Sequence, residues 1–221
     1  MASVVDICNL ALSVLGDSAT VSSINPPEGS AQAEHCQRFY PTARDTCLEM
    51  HSWNFATKRI SLAETADEPL GAWQFVYAVP SDYIRALSIL PPEYANEAQT
   101  QPFIIETNAS GAMVVYTNVE QATIKYISKV TDTTKFSPLF VNVLYRMLAS
   151  YLAGPVLKGS EGMKVADAMF QNAMRMLITA GAKDSSARSY DAQSTHVPGW
   201  IQDYGAAGST NLFDADGKVV R

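Results

Sequence analysis

Apolar residues recur along this chain with two different periods. Near the start, Ile7, Leu10, Ala11, Val14 and Leu15 stand three or four residues apart, a spacing that puts them on one helix face. Ser3 and Asp6 precede them in the pattern by which a hydroxyl and a carboxylate satisfy the free amides of a first turn, and Gly16 ends the run. The spacing predicts a helix over 3–15. A loop over 17–29 follows, with Asn25-Pro26-Pro27 as its strongest breaker. A second, longer helix is predicted over 30–52, capped by Ser30, with Ala33, Cys36, Tyr40, Ala43, Cys47 and Met50 on one side and the pair Glu34 and Arg38 on another. Pro41 falls inside it and removes one ladder bond, which predicts a kink or a short break.

The period then changes from helical to two. Trp73, Phe75 and Tyr77 alternate with Gln74, Val76 and Ala78. After the turn Pro80-Ser81-Asp82, Tyr83, Arg85, Leu87 and Ile89 alternate with Ile84, Ala86 and Ser88. Runs at 102–106, 113–117 and 122–130 are rich in β-branched and aromatic residues and are punctuated by Asn108, Gly111 and Asn118. This predicts an antiparallel β region over 57–131.

Helical spacing returns at Ser137-Pro138, a cap followed by proline at the first helical position. Leu139, Phe140, Val143, Leu144, Met147, Leu148 and Tyr151 cover most of this third helix, leaving Asn142, Arg146 and Ser150 as a narrow polar stripe. A helix apolar nearly all round belongs at the centre of a fold. Gly154-Pro155 is expected to end it. A fourth helix over 161–181 turns Val165, Met169, Ala173, Met176 and Leu177 inward, with Gly181 closing it. From 184 the periodicity stops, and Trp200, Tyr204 and Phe213 are scattered among Ser, Ala, Gly and Asp.

The expected fold is α+β. A discontinuous helical domain of about four helices (1–56 and 132–183) receives an inserted antiparallel β domain (57–131), and an extended C-terminal arm (184–221) follows. Trp53, Phe55, Trp73 and Tyr77 are candidates for the seam between helical and β parts. Trp200, Tyr204 and Phe213 are the candidate partner-binding residues, because large aromatics anchor interfaces and are scarce in tails without partners.

Charge narrows the function. The chain carries 16 Lys and Arg against 22 Asp and Glu, a net charge of −6, and no basic run. Tight nucleic-acid binding uses clustered cations that displace counterions from phosphates, so that class is excluded. Charged residues are 17% of the 221, below the usual quarter or so, which fits a surface meant to be covered. The apolar N-terminus lacks the basic start of a secretion signal, since Arg38 is the first cation and Asp6 interrupts the run. No uninterrupted apolar stretch reaches the roughly 18 residues of a membrane span. A protein made in a reducing cytoplasm is expected, in keeping with three cysteines, none in a CxxC pair.

Candidate chemistry is sparse. Cys36, Cys47 and His51 share a helix face, but ligands three turns apart lie about 16 Å from each other along a straight axis, against about 4 Å across a zinc site. They read as core residues, and no metal or cofactor is expected. Asp214-Ala215-Asp216-Gly217 resembles the start of a calcium loop but lacks the later glutamate, and Asn108-Ala109-Ser110 reads as a turn. Arg146 reads as a paired or snorkelling structural cation. Nucleophile elbow, phosphate loop, dinucleotide fingerprint and zinc-protease motifs are all missing from the sequence. No enzyme is expected. The rival from another class is a small hydrolase, which would need one of the three histidines, His35, His51 or His196, beside a Ser or Cys nucleophile.

One set of residues carries a family likeness. The string Tyr40-Pro41-Thr42-Ala43-Arg44-Asp45 with Leu48, then Trp53-Asn54-Phe55-Ala56, Arg59 and Leu62-Ala63, resembles the N-terminal half of the tail tubular protein A-like head-to-tail adaptors of short-tailed bacteriophages. Asp6-Ile7-Cys8-Asn9 with Ala11-Leu12 and Leu15-Gly16 is similar to their first helix, and Tyr77-Ala78-Val79-Pro80-Ser81-Asp82-Tyr83-Ile84-Arg85 to their first β-hairpin. The likeness spans residues 3–181. It implies a structural virion protein, with a ring of about twelve copies beneath the portal protein, a DNA channel through its centre, and the tail nozzle or fibres on its far side. It implies no catalytic residue and no membrane. Another neck component, a head-completion or tail-terminator protein, would share most of these expectations. DNA sliding through such a ring calls for a lumen that is acidic or uncharged.

Overall fold

Three of the four helices begin on a serine that satisfies their first amides. Ser3 accepts from the Asp6 amide and Asp6 accepts from the Ser3 amide, opening α1 (Val4–Val14). Ser30 accepts from the Ala33 amide and opens α2 (Ala31–Met50). Ser137 accepts from the Phe140 amide, with Pro138 at the first position of α3 (Pro138–Leu157). After Lys158 alone, α4 (Gly159–Ser186) runs back. The computed structural model describes residues 2–91 and 100–186, which fall in one compact unit.

Local punctuation misplaced three features. α2 runs unbroken through Pro41, because its buried stripe of Ala33, Cys36, Tyr40, Ala43, Cys47 and Leu48 is held by packing that outweighs one lost ladder bond. α3 likewise continues through Pro155 to Leu157. The break falls instead at Lys158, at φ 57° and ψ 161°, a conformation L-residues rarely adopt. Gly181 does not close α4, which continues to Ser186. A Cβ there would lie 3.0 Å from the His51 ring, so this glycine permits a close approach.

Among the described residues the β region has six strands: β1 (Thr57–Ser61), β2 (Phe75–Ala78), β3 (Tyr83–Leu90), β4 (Phe103–Thr107), β5 (Met113–Thr117) and β6 (Thr123–Ser128). They form two antiparallel sheets, ordered β1-β6-β3 and β2-β5-β4. Their inner faces meet: Ile89, Ile124 and Tyr126 from the first sheet pack with Tyr77 and Val115 from the second. Alternation sends Ile127 of the first sheet the other way, into the helical core, and two register shifts in β3 turn Ile84 and Leu87 to that side as well. The layers therefore run helices, first sheet, second sheet. The fold is α+β, four helices with two small antiparallel sheets between the second and the third.

The helical core is one cluster to which all four helices contribute, with α3 at its centre. By length and composition α3 is apolar enough to cross a membrane, but half of it is buried among its neighbours, as a core helix requires. α1 departs from its predicted face. Ile7, Cys8, Ala11 and Leu12 are buried, whereas Leu10 and Val14 are 42% and 40% exposed.

Candidate functional site

Trp53, Phe55 and Ala56 lie at the junction of helices and sheets. The Trp53 ring is fully buried, donates from Nε1 to the Cys47 carbonyl at 2.8 Å, and meets Phe140 of α3 edge-on at 5.0 Å. Phe55 and Phe136 complete this aromatic cluster. Trp53 and Phe55 thus lie on the predicted seam. Trp73 and Tyr77 do not: Tyr77 sits between the sheets and donates to the Val119 carbonyl at 2.9 Å, and Trp73 packs on the second sheet's other face with Val76, Val114 and Tyr116. Both are aromatic members of a strand pattern, and alternation alone does not say which layer a face meets.

Polar groups of the same motifs fasten the junction. Ser128 Oγ donates to the Ala56 carbonyl at 2.9 Å, and Arg85 reaches Ser52 Oγ at 2.9 Å. Arg44 of α2, 7% exposed, pairs with Asp45 at 2.7 Å, and Lys129 reaches the other Asp45 oxygen at 3.0 Å. Within the β part, Lys58 of β1 and the Tyr126 hydroxyl of β6 both donate to Asp82 at the turn before β3. Burial pulls the Asp82 carboxyl up, but hydrogen bonds from Lys58 and Tyr126 outweigh it and hold the group below its ordinary value. Asp184, near the end of α4, accepts from the Asn54 amide at 2.9 Å and faces His51 at 3.6 Å. Sequence spacing gave no signal for this clasp, which joins positions 130 residues apart.

The chemical candidates resolve into packing. Cys8, Cys36 and Cys47 are all buried free thiols. Burial pushes the Cys47 thiol up to about 12, and a hydrogen bond with Cys36 followed by burial raises Cys8, so both stay protonated and unreactive. Among the described residues no three His, Cys, Asp or Glu gather closely enough to hold a metal ion. His35 lies against Phe39, ring centroids 6.5 Å apart, and its Nδ1 is buried without a hydrogen-bond partner. His51 lies edge-on to Trp53. His196 falls outside the described residues, as do the candidate anchors Trp200, Tyr204 and Phe213 and the Asp214–Gly217 segment. Arg146 donates to the Asn142 carbonyl at 2.8 Å and lies 4.6 Å from the Tyr145 ring centroid.

What stays open is apolar surface. Met163, Phe170 and Ile178 on α4 are 71%, 38% and 75% exposed. A cleft of about 480 Å³ opens between α1 and the start of α3, lined by Leu10, Phe136, Val141, Asn142 and Tyr145 among others. The 163–170–178 spacing was legible as a second apolar stripe of α4, beside the stripe assigned to the core. No protein-family model matches this chain, and no curated protein matches it.

Proposed function

We propose that this chain is a structural protein of a short-tailed phage particle, a head-to-tail adaptor whose copies form a ring between the portal and the tail nozzle around a DNA channel. The observation that supports the reading is the convergence of likeness-bearing residues, Arg44-Asp45, Trp53-Asn54-Phe55-Ala56 and Arg85, on the junction that holds a β insertion against a helical body. The likeness implies a helical body with a β insertion, and four helices with two sheets between the second and the third agree with that, although β2 and β3 lie in different sheets and do not form the hairpin expected over Tyr77–Arg85. The net charge of −6 suits a ring through which DNA slides without adhering. The test is to mix the purified chain with portal rings of the same phage, measure the mass of the product and image it. A second annulus stacked on one end of the portal is the expected product. Portal rings that stay bare while the chain sediments alone would overturn the reading, as would a lumen lined by clustered Lys and Arg.

A further inference from the structure

α3 and α4 are joined by one residue. Lys158, exposed between them, holds φ 57° and ψ 161°, a region essentially reserved for glycine. Gly159 follows with φ 63°. The helical ladder nevertheless reaches this joint from both sides. The Lys158 amide donates to the Gly154 carbonyl at 3.0 Å, and the Lys158 carbonyl accepts from the Gly162 amide at 3.3 Å. Between those two bonds, the amides of Gly159, Ser160 and Glu161 have no acceptor among the described residues. Turning Lys158 to helical angles would join the ladders. The three amides would then reach the carbonyls of Pro155, Val156 and Leu157, four residues back, and the strain would be released.

What keeps the hairpin shut is packing. α4 lies chiefly along α3, with Gly162 and Ala173 buried and Val165, Met169 and Leu177 half-buried against the core. A Cβ on Gly162 would stand 2.9 Å from the Ala153 carbonyl oxygen, so the two backbones leave no room for a side chain there. At the far end, Asn54 donates from its amide to the Asp184 carboxylate at 2.9 Å and from its side chain to the Asp184 carbonyl at 2.6 Å. The α4 of a second copy can make every one of these contacts.

We infer that α4 exchanges between copies: Lys158 straightens, α3 and α4 become one long helix, and the α4 of one copy packs on the α3 of another. The occupant is a second copy because the same sequence reproduces this interface residue for residue. Closed and exchanged forms share the α3–α4 contacts, so they differ at the joint and in the entropy of association. The joint favours exchange, through one strained residue and three unfilled ladder positions, and short connections under strain invite such swaps. Dilution favours the closed single chain. The exchange goes beyond the adaptor reading and does not depend on it.

Two substitutions at the joint test it with opposite signs. Lys158→Gly relieves the strain of the closed form and weakens the straight helix. Lys158→Ala keeps the strain and favours the helix. Each chain is concentrated to the millimolar range, warmed mildly, diluted, and separated by size with its mass measured. The native chain should leave dimers and larger species, Lys158→Gly several-fold fewer and Lys158→Ala several-fold more. A further variant, Asn54→Cys with Asp184→Cys, reports whose α4 is in place, since the three native cysteines are buried. Oxidised while dilute, it should run as a monomer with an internal disulfide. Oxidised after concentration, it should run as disulfide-linked dimers and larger species on a non-reducing denaturing gel. Single chains at every concentration, equal yields of associated species from native, Gly and Ala chains, or internal disulfides alone in those species would overturn the inference. A chain that binds portals but never exchanges leaves the adaptor reading standing without this inference. A chain that exchanges but leaves portals bare does the reverse.

Discussion

The helical part and the β part of this molecule are held by different means. Four helices share one apolar cluster in which α3 is surrounded on most sides. Among the described residues the sheets bury far less: seven side chains between their faces, and three more on the second sheet's other side. The β part makes up part of the difference with polar fixings, such as Asp82 between Lys58 and Tyr126, and Asn108, whose side chain accepts from the Ser110 and Ala112 amides. Burial is indifferent to direction, whereas hydrogen bonds set angles. A deep helical core gives stability, and a shallow sandwich with polar latches gives a projection of defined orientation.

The contrast should appear first in core truncations. Phe140→Ala removes a ring in contact with Trp53, Phe55 and Phe136 and should cost about 3–5 kcal/mol in denaturant unfolding. Val115→Ala, between the sheets, loses two methyl groups and should cost about 2 kcal/mol. Equal losses at the two sites would erase the distinction. Asp82→Asn should cost about 1 kcal/mol, a solvent-screened figure since the pair is partly exposed. Its pH signature is sharper. The Asp82 carboxyl lies below its ordinary value in the folded chain, so its stabilisation is present above about pH 4 and is lost as pH falls through the folded value. Urea midpoints measured from about pH 6 to pH 3 should fall less steeply in Asp82→Asn than in the native chain. Smallest of all on stability, Leu10→Glu and Ile178→Glu should each change it by no more than about 0.5 kcal/mol, since both side chains already face water. Larger losses would mean that those faces belong to the fold.

Much of this was legible in the sequence because the signals are local. The Ser3–Asp6 box, the Ser30 and Ser137 caps and the change from helical to two-residue period each rest on neighbours within a few positions. Errors arose where one residue type serves two purposes. Gly181 and Pro155 carry the chemistry of helix ends, yet Gly181 makes room for His51 and Pro155 rides within a helix held by its packing. The outward turn of Leu10 and Val14 was hidden for a related reason: periodicity says which residues share a face and not what covers it. The Asn54–Asp184 clasp was beyond reach, since contacts across 130 residues leave no mark in local spacing.

The proposed adaptor role is tested most directly by the product formed when this chain meets the portal rings of a short-tailed phage. Images of that mixture should show a closed annulus of about twelve copies seated on one end of each portal, with the passage through its centre open. A chain that remains single at concentrations where the portals stay bare would contradict the proposal outright.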